Sequence, residues 1–451
     1  MPARTSQSAG VLAIVLHTHM PYVEGFGTWP FGEEWLWEAI ATSYLPLLEV
    51  LDPRVTLSLT PVLADQLEAA GAIGRAQRFL DETREASHAL DLEHYAEEPA
   101  ALRALERSRD DYRTASVRLA SLTAEGGLLG ALAGRSAWTS SATHAILPLL
   151  ALDDSVTLQL ELGVGAHRRR SGDWDGGFWL PECAYAPWLN GHLESAGVHH
   201  CCVQWPGVDP GRPLATAEGP WLWPVDRTII DLVWGETGYP SAPEYRARGR
   251  LTPRHHRIWA NDGTVYDPDR AAAAAARDGV RFVAAVCARV AEGGICTLAL
   301  DTELLGHWWC EGPQWLAAVL AEADRVGLGI LRPEQIDVAP GRAPEPSAVP
   351  AVSWGEGGDL RTWSSGPAAD LAFRLRSAEL RAFAAPGRPS PRALRELLAA
   401  QASDWTFLAY RGWAGDYPRE RLHGHLRGLA DALTGRLTEP ALANLAPDLD
   451  R

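Results

Sequence analysis

The chain has 451 residues, 46% hydrophobic and 22% charged, an ordinary globular composition that excludes a mainly disordered protein. Its formal net charge of −16 repels phosphate backbones, so nucleic acid is not an expected partner. No segment reaches the roughly 18 apolar residues that span a bilayer, and the run at residues 11–16 is too short for a signal sequence. We therefore expect a cytoplasmic protein without a membrane partner. The six cysteines show no CxxC spacing, which argues against a metal ribbon or a disulfide framework.

Short apolar runs alternate with helical patterns up to residue 331. The runs lie at residues 11–16, 55–59, 144–150, 177–180, 199–204, 228–233, 297–300 and 329–331. Helical patterns between them include residues 99–122, 155–170, 267–292 and 312–326. Continuous apolar runs are typical of parallel strands covered by helices, so this order predicts a closed (β/α) barrel. An open doubly wound sheet is the alternative, but no GxGxxG follows the first run.

The chain changes character after this alternation. Residues 336–350 are rich in proline and alanine, which indicates a linker or a surface crossing. The patterns at 368–383, 391–402 and 418–433 are helical, and no strand candidate is left there. The sequence therefore predicts three regions: a barrel with inserted helices and loops at 1–345, a connecting segment at 346–366 and an all-helical C-terminal domain at 367–451.

Two carboxylates follow predicted strands, where a parallel barrel places its active site. Glu182 follows the run at 177–180, and Asp301 follows the run at 297–300. Apolar neighbours would desolvate both side chains, which raises a carboxyl pKa and keeps an acid protonated. Two carboxyls about 5–5.5 Å apart suffice for retaining glycoside chemistry. For either residue alone, a helix cap or an ion pair with a buried arginine is the alternative.

Histidine and tryptophan are the other candidates. His17 and His19 are two apart, so on a strand they point the same way. They could contact sugar hydroxyls, bind zinc or play a structural part, and His144 could join them. Nineteen tryptophans exceed an ordinary share, and flat indole faces hold pyranose rings. A tryptophan-rich core is the alternative explanation.

These residues lie in motifs that resemble glycoside hydrolase family 57, most closely its α-1,4-glucan branching enzymes. The matching segments are residues 17–22 (HTHMPY), 29–35 (WPFGEEW), 143–148 (THAILP), 177–185 (GFWLPECAY), 301–309 (DTELLGHWW) and 401–405 (QASDW). The motifs are long, occur in order and span nearly the whole chain.

The resemblance implies an incomplete seven-stranded (β/α) barrel followed by a C-terminal all-helical domain. It implies that Glu182 is the nucleophile and Asp301 the general acid/base, with no metal and no cofactor. The segment at 346–366 would then carry aromatic subsite residues. We expect sugar contacts from His17, His19, His144, Trp308, Trp354, Trp363, Asp404 and Trp405. Tyr239 is a candidate for the tip of a loop that covers the site, with ordinary turn packing as its alternative.

The implied activity is that of a retaining branching enzyme of glycogen biosynthesis, with an α-glucan such as amylose or glycogen as its partner. An α-amylase-type hydrolase would use the same pair of carboxylates. The stretch between Glu182 and Asp301 is shorter than the family usually has, and Thr406 stands where proline is usual. A shorter covering loop would favour hydrolysis over transfer. A non-catalytic glucan-binding protein and a zinc enzyme that uses His17 and His19 are the remaining alternatives.

Overall fold

The computed structural model describes residues 10–29, 31–124, 126–343, 351–384, 387–436 and 442–450. Within these ranges one sheet contains ten strands. The strands are β1 Val11–Thr18, β2 Thr56–Leu59, β3 Ser136–Ser140, β4 Gly177–Trp179, β5 His200–Val203, β6 Leu214–Ala215, β7 Trp221–Pro224, β8 Ile295–Asp301, β9 Gly329–Ile330 and β10 Gly341–Arg342.

Seven of these strands are parallel and form the wall of a barrel in the order β7-β5-β4-β3-β2-β1-β8. β6 runs antiparallel beside β7, β10 extends that edge, and β9 pairs with the start of β1. Within the described residues no strand pairing joins β7 to β8. A backbone hydrogen bond from the Asp226 N–H to the Thr297 carbonyl (2.9 Å) bridges that gap. The barrel is therefore incomplete, which confirms the predicted fold.

Helices cover the sheet and also form an insertion between β2 and β3, made of α3 to α7. The α-helices are α1 Glu33–Ala39, α2 Leu45–Val50, α3 Pro61–Glu68, α4 Ala72–Arg78, α5 Glu85–His94, α6 Pro99–Ala124, α7 Gly127–Ala133, α8 Asp153–Ser171, α9 Asn190–Ser195, α10 Arg227–Trp234, α11 Pro268–Arg289, α12 Gly312–Val326, α13 Arg361–Ser364, α14 Ala369–Ala382, α15 Pro391–Ala400, α16 Ser403–Arg411 and α17 Tyr417–Leu433. A π-helical turn, Ile40–Tyr44, joins α1 to α2. None of the described helices combines the length and apolar content that a bilayer crossing requires.

The central strands are buried because they are covered on both faces. In β1, every residue after Val11 is buried, and its side chains alternate between the barrel interior and the surrounding helices. β1 and β8 pair in register from Val11 opposite Ile295 to His17 opposite Asp301. Because of this register, His17 and Asp301 lie opposite each other at the C-terminal end of the barrel strands.

Two predicted strands were wrong. Residues 228–233 belong to α10, where Ile229, Ile230 and Val233 are buried at helical spacing. Residues 144–150 form no strand: Leu147–Leu149 is a 3₁₀ turn, and Ala145 makes an isolated bridge to Ala402. This run is apolar because Ala145, Leu147 and Leu150 pack against β4 and α8, while Ile146 and Leu149 pack near Trp363.

The two strands that occupy these places in the barrel were missed. Ser136–Ser140 is rich in hydroxyl side chains, and Trp221–Pro224 ends in proline. Neither reads as a run of aliphatic residues. The remaining predicted strands and helices are confirmed to within a few residues.

After β10, the described chain contains helices and isolated bridges but no paired strand, as predicted. These helices pack against the end of the barrel. The Thr143 hydroxyl donates to the Leu398 carbonyl (2.6 Å), and Arg421 donates to the Tyr22 carbonyl (2.7 Å). Residues 346–350 of the predicted connecting segment lie outside the described residues, and the boundaries at 345/346 and 366/367 stay predictions.

Candidate active site

Glu182 lies just beyond β4 in a backbone conformation that is rare for a residue with a side chain. Its φ is 60° and its ψ is 25°, and Cys183 follows with a φ of 48°. Such left-handed residues cost about 1–3 kcal/mol each and cluster at functional sites. Hydrogen bonds hold the turn: the Cys183 N–H donates to Leu180 (2.8 Å), and the Trp354 N–H donates to the Glu182 carbonyl (3.1 Å).

The carboxylate of Glu182 accepts hydrogen bonds on both oxygens. The Trp354 indole N–H donates to Oε2 (2.7 Å), and the Ser403 hydroxyl donates to Oε1 (3.0 Å). The side chain is 15% exposed. Burial raises the pKa of Glu182 to about 7, and Asp404 adds to the rise; the bonds from Trp354 and Ser403 and the charge of His19 oppose it. The anion is therefore accessible near neutral pH.

Asp301 has a different environment at the end of β8. No described residue donates a hydrogen bond to its carboxyl group. Burial raises the pKa of Asp301 well above its ordinary value, and the negative charges of Glu182, Glu303 and Asp404 add to the rise. One carboxyl is thus surrounded by donors that stabilise its anion, while the other is favoured in its protonated form. Environments that differ in this way are what separate an acid from a nucleophile.

Three stacked histidines lie beside Glu182. His17 stacks on Trp179, with ring centroids 4.4 Å apart, and on His144 at 4.8 Å. His19 stacks on His144 at 4.1 Å. His144 also has a left-handed backbone, with a φ of 60°, and its Nδ1 lies 2.8 Å from the Ser403 hydroxyl and 3.7 Å from Glu182 Oε1.

The histidines differ in charge because their partners differ. Burial lowers the pKa of His17 and of His144 well below the ordinary value, which keeps both rings neutral. Burial opposes the charging of His19 as well, but Asp404 and, further off, Glu303 and Glu182 outweigh it and raise the pKa of His19. His19 Nε2 lies 3.0 Å from Asp404 Oδ2. Of the three histidines, His19 is therefore the one whose charged form is favoured.

Buried ring nitrogens near Glu182 lack hydrogen-bond partners. Among the described residues none pairs with His17 Nε2, His144 Nε2 or Trp179 Nε1. An unpaired buried polar group costs about 1–3 kcal/mol and calls for an explanation. Hydroxyl groups, which donate and accept, are suitable partners for such nitrogens.

Three residues of the site were missed as candidates by sequence reasoning, although they lie within the quoted motifs. Ser403 bonds to Glu182 and His144, and the Trp179 ring supports His17. Glu303 accepts from the His19 N–H (3.0 Å) and the Tyr44 hydroxyl (2.7 Å). Their position within three residues of the candidates Asp404, Glu182 and Asp301 was the available signal.

A metal could use His19, His144 and Asp404, whose ligand atoms lie within 4.8 Å of one another. Their arrangement fits hydrogen bonding better than coordination. The two imidazole rings stack at 21° between planes, so their nitrogen lone pairs run nearly side by side instead of converging. His19 Nε2 already pairs with Asp404, and His144 Nδ1 with Ser403.

Four of the expected sugar contacts make packing contacts with other protein groups. Trp363 is 1% exposed and packs on Ile146 and Ala184, and Trp405 is equally buried and donates to the Ala399 carbonyl (2.7 Å). The guanidinium of Arg248 lies 4.6 Å from the centroid of the Trp308 ring. The Tyr239 ring packs 6.4 Å from Trp315.

Buried packing also accounts for part of the high tryptophan content. Six of the nineteen indoles belong to the largest fully buried side chains of the described core. They are Trp138, Trp179, Trp223, Trp315, Trp363 and Trp405.

Two buried carboxyls at the C-terminal end of a (β/α) barrel are characteristic of glycoside-processing enzymes. Comparison with known proteins agrees with that class. The glycosyl hydrolase family 57 model matches residues 137–336, and the model of the 1,4-alpha-glucan branching enzyme C-terminal region matches residues 376–445.

Relatives match over nearly the full chain. A probable 1,4-alpha-glucan branching enzyme of Mycobacterium tuberculosis is 30% identical over 96% of this chain and 94% of its own length. The crystal structure of a GH57-type branching enzyme from Pyrococcus horikoshii superposes with a TM-score of 0.85 at 27% identity, covering 98% of this chain and 94% of that one. A GH57 branching enzyme from Thermococcus kodakaraensis, in complex with glucose and additives, gives a TM-score of 0.84 at 26% identity over 98% and 94% of the two chains. The chain belongs to glycosyl hydrolase family 57.

Proposed function

We propose that this chain is a retaining 1,4-α-glucan branching enzyme that uses Glu182 as its nucleophile and Asp301 as its general acid/base. The observation that carries the proposal is the unequal environment of the two buried carboxyls. Donors from Trp354 and Ser403 hold Glu182 as an anion, whereas Asp301 has no donor among the described residues and is favoured as an acid. The names of the relatives support branching as the outcome.

In the first step, Glu182 attacks C1 of an α-1,4-linked glucose unit, and Asp301 gives its proton to the departing 4-oxygen. The C1–O bond breaks, and a covalent glycosyl ester forms on Glu182. His17, His144 and Trp179 carry the buried nitrogens without described partners, so they are suited to bind hydroxyls of the sugar at this point.

In the second step, Asp301 is a carboxylate and acts as the base. It takes the proton from the 6-hydroxyl of an acceptor glucan, whose oxygen attacks C1 and releases Glu182. Two inversions at C1 retain the α configuration, and the product is an α-1,6 branch. This activity would place the chain in the synthesis of a glycogen-type polymer.

The three regions of the chain would share this work. The barrel, 1–345, supplies both carboxyls and the histidines. The segment 346–366 supplies Trp354, and the helical region 367–451 supplies Ser403 and Asp404. The expected contacts of Trp308, Trp363, Trp405 and Tyr239 with sugar remain proposals, for subsites further from Glu182.

A hydrolase is the second candidate, and the position of Tyr239 favours it. Transfer requires that water be kept from the glycosyl-enzyme. The Tyr239 ring packs against Trp315 and the outer helices, so it does not cover Glu182 in this conformation. An open site would let water take the place of the 6-hydroxyl.

Incubation with amylose separates these outcomes. Branching lowers iodine staining, produces α-1,6 linkages that NMR detects, and adds few net reducing ends. Hydrolysis raises reducing ends in proportion to the loss of staining and would replace the branching proposal. The Glu182→Gln chain is the matched control and should leave the amylose unchanged.

A further inference from the structure

Gln159 is a buried glutamine that joins the loop after β3 to the residues just before α16. It lies on α8 and is fully covered by its surroundings. Its side-chain Oε1 accepts from the Thr143 N–H (3.1 Å), and its Nε2 donates to the Thr143 hydroxyl (2.9 Å) and to Gln401 Oε1 (2.9 Å). Its backbone carbonyl accepts from the Ala142 N–H (3.0 Å). Both hydrogens and the oxygen of the amide are therefore used, and they connect two segments that are distant in the sequence.

The first segment leads to His144. The Thr143 hydroxyl accepts from Gln159 and donates to the Leu398 carbonyl (2.6 Å), so Thr143 is held both at its hydroxyl and at its N–H. The next residue, His144, has a φ of 60°. A left-handed residue with a side chain persists only where its surroundings hold it, and the bonds of Thr143 supply part of that restraint. The position of the His144 ring therefore depends on Gln159.

The second segment leads to Ser403. Gln401 comes two residues before it, and the Ser403 N–H donates to the His144 carbonyl (3.1 Å). Ala145 and Ala402 form an antiparallel bridge beside this bond. The two segments therefore lie side by side, each bonded to the same glutamine at one end.

A chain of hydrogen bonds continues from these segments to the candidate nucleophile. The Ser403 hydroxyl has one hydrogen, which it donates to Glu182 Oε1 (3.0 Å). In its contact with His144 Nδ1 (2.8 Å) the hydroxyl is therefore the acceptor, and His144 carries its proton on Nδ1. None of the hydrogen bonds of the described residues joins Gln159 to Glu182 or Asp301. Gln159 can therefore act on Glu182 through His144 and Ser403, without touching it.

Close packing of α8 keeps Gln159 in place. One turn further along the helix, a Cβ on Gly163 would lie 2.3 Å from the Ser140 carbonyl oxygen, so only glycine allows this approach to the end of β3. The Thr139 hydroxyl donates to the Gly163 carbonyl (3.3 Å). A side chain on a rigid, closely packed helix is positioned more precisely than one on a loop.

We propose that Gln159 is a positioning residue of the active site, which holds His144 and Ser403 in their observed arrangement. This arrangement directs the Ser403 hydroxyl to Glu182. The role of Glu182 as the nucleophile rests on the proposed function, whereas the hydrogen-bonded link to its carboxylate rests on the geometry alone. A packing role would need only a side chain of similar volume. Positioning requires an amide, since only a group with two donor hydrogens and an acceptor oxygen can make all three bonds.

The ionisation of Glu182 in the substrate-free chain tests the proposal. ¹³C NMR of the chain labelled at glutamate Cδ measures its pKa, and the Glu182 signal is assigned by its loss in Glu182→Gln. Gln159→Met nearly keeps the side-chain volume and removes the three bonds. Because the Ser403 bond favours the anion, we expect the pKa of Glu182 to rise by about half a unit or more and the rate on amylose to fall by about tenfold. The other charged and titratable groups that face Glu182 are unchanged in this variant, and they are His19, His144, Asp301 and Asp404.

Two further variants separate positioning from stability. Glu379→Met is the matched control, because Glu379 is also buried and accepts two backbone N–H groups at the start of α8 (2.9 and 3.0 Å). It should lower the urea midpoint of unfolding without changing the pKa of Glu182. In a Ser403→Ala chain, Gln159→Met should change that pKa less than it does alone, because the bond that it directs is already absent.

Failure of the proposal differs from failure of the proposed function. A folded Gln159→Met chain with an unchanged pKa of Glu182 would overturn the positioning role, and so would equal changes with and without the Ser403 hydroxyl. If Gln159→Met does not fold, Gln401→Met breaks the same link from the other side and is held to the same two results. If the pKa rises as expected but Glu182→Gln keeps the full rate on amylose, the positioning role stands and the proposed function fails.

Discussion

Trp354 holds Glu182 at two points. Its backbone N–H donates to the carbonyl of Glu182 (3.1 Å), and its indole N–H donates to the carboxylate Oε2 (2.7 Å). The first bond fixes the left-handed turn that presents the side chain, and the second stabilises its anion. The same residue therefore sets both the direction and the acidity of the proposed nucleophile.

Replacement of Trp354 by phenylalanine should raise the pKa of Glu182. A hydrogen bond to a charged group contributes about 1.5–3 kcal/mol, which corresponds to roughly one to two pH units. Glu182 must be ionised to attack, so activity rises with pH through its pKa of about 7. We expect the acidic limb of the kcat/KM profile to move to higher pH by about one unit in Trp354→Phe. Trp188→Phe is the control. An acidic limb of the kcat/KM profile that does not move in Trp354→Phe would contradict the role of Glu182 as the group that must be ionised.

The two carboxyls should respond differently to an activated substrate. An α-maltooligosaccharyl fluoride needs no proton on its leaving group, so Asp301→Asn should still form the glycosyl-enzyme from it. Added azide should then restore turnover, because azide needs no base. Glu182→Gln should stay inactive under the same conditions, by about 10³-fold or more. Product analysis by mass spectrometry checks this; azide rescue of Glu182→Gln but not of Asp301→Asn would reverse the two roles.

Ser403 should matter for the reaction more than for folding. Its hydroxyl donates to Glu182 Oε1 (3.0 Å) and lies 2.8 Å from His144 Nδ1. We expect Ser403→Ala to lower kcat/KM by about 10- to 100-fold, from the loss of one charged hydrogen bond. The midpoint temperature of thermal unfolding should change by only a few degrees. Ser377→Ala, on the exposed face of α14, is the control. Equal losses of kcat/KM in the two variants would contradict a role for Ser403 in the active site.

Glu303 should make stability depend on pH. Burial raises its pKa to about 7, although the Tyr44 hydroxyl, its own backbone and His19 oppose the rise. Between its ordinary pKa and pH 7, the folded chain binds more protons than the unfolded one, so the free energy of unfolding falls as pH rises. The Glu303→Gln variant should not show this fall in the free energy of unfolding, which amounts to at most about 3 kcal/mol in the wild-type chain. Urea unfolding at pH 5 and pH 8 measures it. The exposed Glu356→Gln should retain the full pH dependence, and a Glu303→Gln chain that retains it too would contradict the prediction.

Activity should withstand metal removal. The stacked imidazoles of His19 and His144 and their pairing with Asp404 and Ser403 suit a hydrogen-bonded network. Dialysis against EDTA, followed by elemental analysis, should leave the rate on amylose unchanged. A loss of rate that zinc restores would support the zinc alternative instead.

Much of this architecture was predictable because β1, β4, β5 and β8 carry plain apolar runs. The strand Ser136–Ser140 was not, because three of its buried side chains carry hydroxyl groups, which bond to the carbonyls of Leu132, Gly163 and Trp179 and mask the apolar pattern. Thr228–Val233 was misread because a short apolar run fits a strand or a helix, and its helical spacing becomes evident only with burial.

Prediction of the candidate site from the sequence reached the same limit. Motifs identified Glu182, Asp301 and the three histidines, whose strands end at the same edge of the sheet. They did not distinguish the exposed Trp29 from the buried Trp363 and Trp405, since burial depends on which helices cover each indole. The part played by Ser403 followed only from the packing of α16 against the end of the barrel.

The hydrogen bond from Ser403 to Glu182 joins two residues that are synthesised far apart in time. A ribosome releases both carboxyls long before it releases α16, so the nascent chain lacks the Ser403 donor to the proposed nucleophile until α16 has emerged. Incomplete copies, whether stalled or cleaved in that last stretch, would retain the barrel yet lack the hydroxyl and the carboxylate that tune it. In the proposed mechanism, competence to cut a glucan therefore requires a chain that extends through α16.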